Sequence, residues 1–305
     1  MFNPFAIELV FIMKKLGLAS ALLLAMTGAQ AYQVEVQGQS EFIDNTVNDK
    51  NFTGAVQGTY YFKNVDASKG PLAEAAFLNQ ASSASLAYNY GEYDVNADDA
   101  DYTSHTIGAK AEAYIPTKFV PVYASASYSN TITDHKDGEA DDHGDRYAVE
   151  VGAVVVPNFL VAVGYTSVPN QVSYDAFNIL SNGVVKAGLE SDTIARDQDA
   201  VTARAKYVGA IDGTNMAVGF ETNLLFAEYK AYGLKTDLFL NPQLSVGASY
   251  AESSFKESPN TAWGANVNYF ITPAVAVGAS YVNANAENND TNDTQTVGLN
   301  AKFRF

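Results

Sequence analysis

Three histidines, His105, His135 and His143, are the side chains best suited to acid–base or metal chemistry in this chain. Asp101 lies four residues before His105, and Asp145 lies two after His143. A histidine beside a carboxylate is the raw material of a general base. His135 and His143 also lie among carboxylates that a divalent cation would accept, but their spacing matches no established metal site. Both stretches are so rich in Asp and Glu that such neighbours arise from composition alone. No catalytic residue, metal site or cofactor is therefore assigned, and the enzyme reading is set aside. The 305 residues include no cysteine, which excludes a disulfide framework and thiolate ligands. A net charge of −16 disfavours nucleic acid as a partner, because phosphate contacts need clustered Lys and Arg.

A second charged set works by field rather than by bond making. Lys110, Glu112, Arg146, Glu150, Arg204, Lys206, Glu221, Lys235, Asp237, Lys302 and Arg304 all fall at alternate positions within runs that are otherwise apolar or small. Carried on one face of a wall, such charges hydrate a lumen and select among ions. With Lys63 the set holds eight cations, whereas most carboxylates are placed in the long external loops, densely between Asp98 and Asp101 and between Asp134 and Asp145. This division suggests a basic wall facing acidic loops, with Arg204, Lys206 and Lys235 as the selective group. The plainer alternative is that these charges only keep the interior wet.

The elements that must position these residues are strands of period two. In Ala274 to Tyr281, Val275, Val277, Ala279 and Tyr281 share one face, and Ala276, Gly278 and Ser280 the other. The layout recurs at Leu244, Val246, Ala248 and Tyr250, and at Phe159, Val161, Val163 and Tyr165. Each time a proline (Pro273, Pro242, Pro157) precedes the strand and a tyrosine follows eight residues on. Eight strand residues rise about 26 Å, or roughly 20 Å when tilted near 40°, which matches the apolar band of a membrane barrel. The face bearing Val149 and Val151, Val218 and Phe220, or Leu299 and Ala301 carries no charge in the strands so drawn. A Lys or Arg there costs about 2–4 kcal/mol at mid-membrane. A soluble sandwich would put its charges outside instead. Short proline-bearing turns alternate with long polar loops, giving about fourteen strands. The fold class is all-β: a single transmembrane antiparallel β-barrel over 32–305, with periplasmic termini. One connection on the short-turn side, Asn64 to Asn79, is longer and holds a candidate helix over Pro71–Leu78.

The start of the chain reads as an address. Met13-Lys14-Lys15, the apolar run Leu16 to Met26, and Ala29-Gln30-Ala31 form a signal peptide over 13–31. Residues 1–12 put apolar bulk ahead of that charge and read as an upstream extension from a start codon chosen in error. A retained helical anchor is the alternative, and its apolar run is short for one. The long connection from Pro169 to Asp199 contains Tyr174, Asp175, Phe177 and Leu180 among further apolar residues, with Phe177, Leu180 and Val184 spaced like one face of a helix. It is expected to fold into the mouth and constrict the channel. Packing on neighbouring loops or a partner is the alternative.

Lys69-Gly70-Pro71-Leu72-Ala73-Glu74-Ala75-Ala76-Phe77-Leu78, Tyr232-Gly233-Leu234-Lys235-Thr236-Asp237, Trp263-Gly264-Ala265-Asn266-Val267-Asn268-Tyr269-Phe270 and the ending Gly298 to Phe305 resemble the outer-membrane porin family of Acinetobacter. The resemblance spans the mature chain. It implies a fourteen-stranded barrel in the cell outer membrane that passes water and small polar solutes by passive diffusion. Further expected partners are outer-membrane lipid, lipopolysaccharide bridged to the acidic loops by divalent cations, and the barrel-assembly machinery, since the last strand with its final aromatic Phe305 resembles the terminal signature of outer-membrane barrels. The competing reading is an adhesin or host-interaction scaffold with an occluded lumen.

Overall fold

The computed structural model describes residues 31–45, 51–93, 101–136, 140–169, 171–177, 198–254, 261–285 and 294–305. The upstream extension, the signal peptide apart from Ala31, and Leu180 and Val184 lie outside the described residues.

Fourteen antiparallel strands close on themselves. They are β1 (Ala31–Asn45), β2 (Asn51–Asp66), β3 (Ser83–Tyr93), β4 (Tyr102–Ile115), β5 (Val122–His135), β6 (Asp142–Val156) and β7 (Phe159–Val168). The second half is β8 (Gln198–Ala210), β9 (Ala217–Phe226), β10 (Lys230–Phe239), β11 (Leu244–Ser253), β12 (Thr261–Thr272), β13 (Val275–Asn285) and β14 (Thr294–Arg304). Each strand pairs with its sequence neighbour, and β1 closes the ring on β14 from Glu35↔Arg304 to Asn45↔Thr294. Phe305 finishes the seam: its carbonyl accepts from the amides of Gln33 at 2.8 Å and Val34 at 3.0 Å. No edge strand is left to solvent, as a membrane requires of any sheet.

The turns at the terminus-bearing end are short because side-chain oxygens organise them. Asn241 Oδ1 accepts from the amides of Gln243 and Leu244 at 2.8 and 2.9 Å, and Thr214 Oγ1 accepts from that of Met216 at 3.1 Å. Thr117 and Thr272 act alike towards Phe119 and Ala274. Such Asx and Ser/Thr turns reverse the chain within a few residues.

Period two sorts the wall into two faces. Leu86, Ile107, Val151 and Leu299 project outward and are 56–67% exposed, whereas Glu35, Arg146 and Arg304 project inward and are buried. The outward face is not free of charge along its whole length, contrary to the sequence reading. The strands extend further than their apolar cores, and their ends bring Glu92, Asp134, Asp145, Asp199 and Glu252 onto it. These carboxylates lie beyond the tyrosines, and all but Asp134, which faces His105, are tied to them. Tyr128 donates to Asp145 at 2.6 Å, and both Tyr232 and Tyr250 donate to Glu252. Past the tyrosine ring the wall leaves the hydrocarbon, so charge there has water and headgroups for company.

Candidate functional site

The inward face is polar through the middle of the barrel and apolar at the short-turn end. There Tyr123, Leu160, Val208, Phe239 and Phe270 point inward from five different strands. An apolar ring inside a wet barrel demands a cover, and the β2–β3 connection supplies it. Leu72–Glu74 forms a 3₁₀ turn that leads into the short helix α1 (Ala75–Leu78). Phe77 packs with Tyr123, Leu160, Val208 and Phe239. Leu72 packs with Phe270 and Ala276, and Ala75 with Tyr32, Tyr61 and Val65. The segment therefore reaches side chains all round the base of the lumen.

Polar ties hold it there. The Leu72 amide donates to the Pro242 carbonyl at 2.8 Å, and Arg304 Nη1 donates to the Leu72 carbonyl at 2.9 Å. Lys206 Nζ lies 2.9 Å from Glu74 and 5.1 Å from the centre of the Phe77 ring. Gly70 has φ +141°, and a Cβ there would stand 2.8 Å from Leu78 Cδ1, so this bend requires glycine. The sequence reading expected a helix in this connection but not its insertion. The missed signal was the apolar inward parity next to each short turn.

A second segment, residues 171–177, lies across the inner wall of four strands. A Cβ on Gly144 would stand 2.2 Å from the Val172 carbonyl, and one on Gly108 2.5 Å from Ala176 Cβ. The Tyr174 amide donates to Thr131 Oγ1 at 3.0 Å, the Ala176 amide to Ser129 Oγ at 3.2 Å, and Asn89 Nδ2 to the Ala176 carbonyl at 3.1 Å. Asp175 stands 3.9 Å from Arg146, and Phe177 is buried against Ala87 with Lys110 Nζ 6.0 Å from its ring centre. Tyr174, Asp175 and Phe177 thus line the interior, and the helical spacing through Leu180 falls outside the described residues.

The charged residues named from the sequence are interleaved by sign rather than set out as a basic wall. Glu150 receives a two-pronged contact from Arg204, Nε at 3.0 Å and Nη2 at 2.7 Å. Glu221 sits 3.8 Å from Arg204 and 3.7 Å from Lys206. Lys235 pairs with Asp237 at 3.2 Å and Lys110 with Glu112 at 3.2 Å. At the seam Glu35 takes Arg304 at 2.7 Å and Lys302 at 3.1 Å. Counting Arg146–Asp175 and Lys206–Glu74, seven cations are ion-paired with seven carboxylates among the described residues of the lumen, and Glu41 is held by Gln39 and Thr53 instead. The Arg204, Lys206 and Lys235 group therefore carries no excess of positive field. Lys63 stands apart at the base, where Nζ donates to the Asn79 carbonyl at 2.6 Å.

The other half of the lumen is lined by amides that a search for charge passed over. Gln39, Gln57, Asn266, Asn268 and Asn300 sit on the inward parity of β1, β2, β12 and β14. The side chains of Asn268 and Asn300 occupy the space that a Cβ on Gly278 would fill. Of the histidines, His105 shares a hydrogen bond with Tyr88 at 2.8 Å and lies 3.6 Å from Asp134, while His135 lies 3.3 Å from Asp142. These contacts occur near the strand ends, away from the lumen charges. A cavity of about 340 Å³ opens between Lys110, Arg146 and Phe177 on one side and Glu221 and Lys235 on the other.

A family model described as "Putative general bacterial porin" matches residues 7–305. The crystal structure of the Acinetobacter baumannii outer membrane protein Omp33 is 55% identical, over 90% of this chain and 99% of that one, with a TM-score of 0.68. The TodX deltaS2S3 mutant monoaromatic hydrocarbon channel covers 91% of both chains at 11% identity and TM-score 0.51. A Pseudomonas aeruginosa FadL homologue covers 90% of both at 10% identity and TM-score 0.50. The last two share the fold alone. No curated protein sequence matches the chain.

Proposed function

The chain belongs to this family of general bacterial porins, barrels of the outer membrane, and from that premise we propose a loop-constricted channel for passive diffusion of water and small polar solutes. The observation that carries the reading is the contrast between an uncharged lipid-facing band and a lumen full of paired charges and amides. A wall built only to span lipid has no use for a hydrated interior of this kind. In this reading the short turns and both termini face the periplasm, and the long connections face outward. Residues 171–177 narrow the lumen from one side, and the 3₁₀ turn with α1 narrows it at the base. The outward face meets outer-membrane lipid and lipopolysaccharide, and Phe305 serves the assembly machinery before the seam closes.

One observation favours a second reading, an adhesin or host-interaction scaffold with an occluded lumen. The Leu72, Ala75 and Phe77 contacts run round the whole base, as a stopper's would. Recordings from purified protein in planar bilayers, with solute-driven liposome swelling, separate the two. Discrete conductance steps and size-dependent swelling are expected of the channel. A flat trace with no swelling by any solute refutes it and leaves the scaffold.

A further inference from the structure

The lipid-facing wall is not evenly covered. On β3, β4 and β5 the outward positions Ala84, Ala111 and Ala126 carry only a methyl group, and the register sets them side by side as Ala84↔Ala111 and Ala111↔Ala126. Bulky outward neighbours flank them, Tyr60 and Leu86 on one side and Val149 on the other. The result is an apolar groove of about 850 Å³ in the outer surface of the barrel. Below it, Ala113↔Ala124 continue the floor, and Ile115↔Val122 end it at the β4–β5 turn. From Ile115 up to Ala109 is six residues, about 20 Å along the strand and about 15 Å of height at a tilt near 40°. That is the depth of one leaflet of a hydrocarbon core about 30 Å thick. The two ends of this path differ in charge. Tyr128 and Tyr147 close the outer end, where Asp145 accepts from Tyr128 at 2.6 Å. At the lower end the turn 116–121 presents Lys118 and Phe119 to the surroundings, and Phe119 is 94% exposed. Thr117 braces that turn: its Oγ1 donates to the Val120 carbonyl at 2.7 Å and accepts from the Phe119 amide at 3.2 Å. Among the described residues of the five short turns, Lys118 is the only cation. Ile115, Val120 and Val122 are exposed in the same hairpin and make the Phe119 patch continuous with the lipid-facing band.

We propose that the groove and this turn hold one anionic phospholipid of the periplasmic leaflet, with its phosphate on Lys118, Phe119 sunk beside it and an acyl chain laid along the alanine floor. Charge decides the leaflet. A phosphate at the outer end would meet Asp145, whereas at the lower end it meets an ammonium group and gains a charge-assisted hydrogen bond. Small side chains let a neighbouring chain approach the backbone closely, so an acyl chain on the floor also touches the ridges of Leu86 and Val149. A wall of uniform Leu and Val offers contact from one side only. The site rests on the orientation proposed above, in which the short turns face the periplasm, and on nothing that concerns the lumen.

Native mass spectrometry of the full barrel in mild detergent tests this directly. The delipidated protein is offered equal amounts of phosphatidylglycerol and of a diacylglycerol with the same chains, and the lipids retained per barrel are counted. One phosphatidylglycerol is expected, retained about fivefold over diacylglycerol, the ratio that about 1 kcal/mol from a single lysine gives. Lys118→Gln should erase that ratio. Ala111→Leu combined with Ala126→Leu fills the floor and should cut retention of both lipids at least fivefold. The two variants touch different parts of the site, so a folding failure of one leaves the other decisive. Equal retention of the two lipids by the unaltered barrel, or variants that bind as it does, overturn the site. A lipid-free dimer also overturns it, because the groove then belongs to a second copy of the chain. No current is read, so the lipid site and the channel reading fail separately.

Discussion

Gly108→Ala combined with Gly144→Ala should lift residues 171–177 off the inner wall. A Cβ at Gly108 would stand 2.5 Å from Ala176 Cβ, whereas carbon atoms settle at about 3.5–4.0 Å, so the segment must retreat by about 1 Å there. At Gly144 the clash is with the Val172 carbonyl at 2.2 Å, which demands a shift of similar size. The hydrogen bonds to Thr131, Ser129 and Asn89 are now 3.0, 3.2 and 3.1 Å long. A 1 Å retreat carries all three past hydrogen-bond length. At roughly 1 kcal/mol each, their loss comes to about 3 kcal/mol, which moves the balance of seated and lifted segments about a hundredfold. The chain contains no cysteine, so a single Phe177→Cys reports on the segment without background. Its labelling by a membrane-impermeant maleimide should quicken by about that hundredfold in the glycine double variant, and single-channel conductance should rise. Labelling rates within about twofold of each other, in barrels still shown to be folded by their heat-dependent gel migration, would falsify the seating argument.

Three other perturbations read different parts of the molecule. Phe77→Ala removes a buried aromatic side chain, at a cost to docking of about 3–5 kcal/mol. Conductance and liposome swelling should both increase, and no increase would show that the base is not closed by this side chain. Lys206→Gln should act the same way but more weakly, since it takes only the Glu74 contact and the cation over the ring. Glu35→Ala leaves Arg304, 2% exposed, without its carboxylate at the seam. Stripping one partner from a buried pair typically costs about 3–5 kcal/mol, so the urea midpoint of folding should fall clearly while the lumen remains otherwise intact. The balanced lumen charge predicts a reversal potential near zero in a potassium chloride gradient. Arg204→Gln should shift it towards cation selectivity, and a strongly anion-selective parent would contradict the balance.

The fold was legible because lipid enforces a simple rule. Val275, Val277, Ala279 and Tyr281 alternate with Ala276, Gly278 and Ser280, and a wall with lipid outside and water inside leaves only one way to orient them. Proline before and tyrosine after each repeat set the ends of its apolar core. Sequence alone could not say who pairs with whom. Arg204 and Glu150 are 54 positions apart and meet only because β7 offers Ala162 and Gly164 between them. A list of basic residues therefore suggested a positive wall, and several of the partners that cancel it, Glu150 and Glu35 among them, lie on other strands. The insertion of α1 was hidden for a related reason. Phe239 and Leu160 look like ordinary strand ends until register gathers them at one level with Phe77. The outward carboxylates were overlooked because the strands were drawn to stop at their tyrosines.

Those carboxylates bear on how the barrel sits in its membrane. Tyr128 is bonded to Asp145, and Tyr232 and Tyr250 to Glu252, on separate arcs of the wall. A tyrosine alone tolerates some vertical drift, because its ring is content on either side of the interface. A tyrosine bonded to an ionised carboxylate is not, since sinking would drag that charge into hydrocarbon. On separate arcs of the circumference, such pairs resist tilting as well as sinking. The level at which the barrel floats is thus held by hydrogen-bond valence, not by hydrophobic length alone.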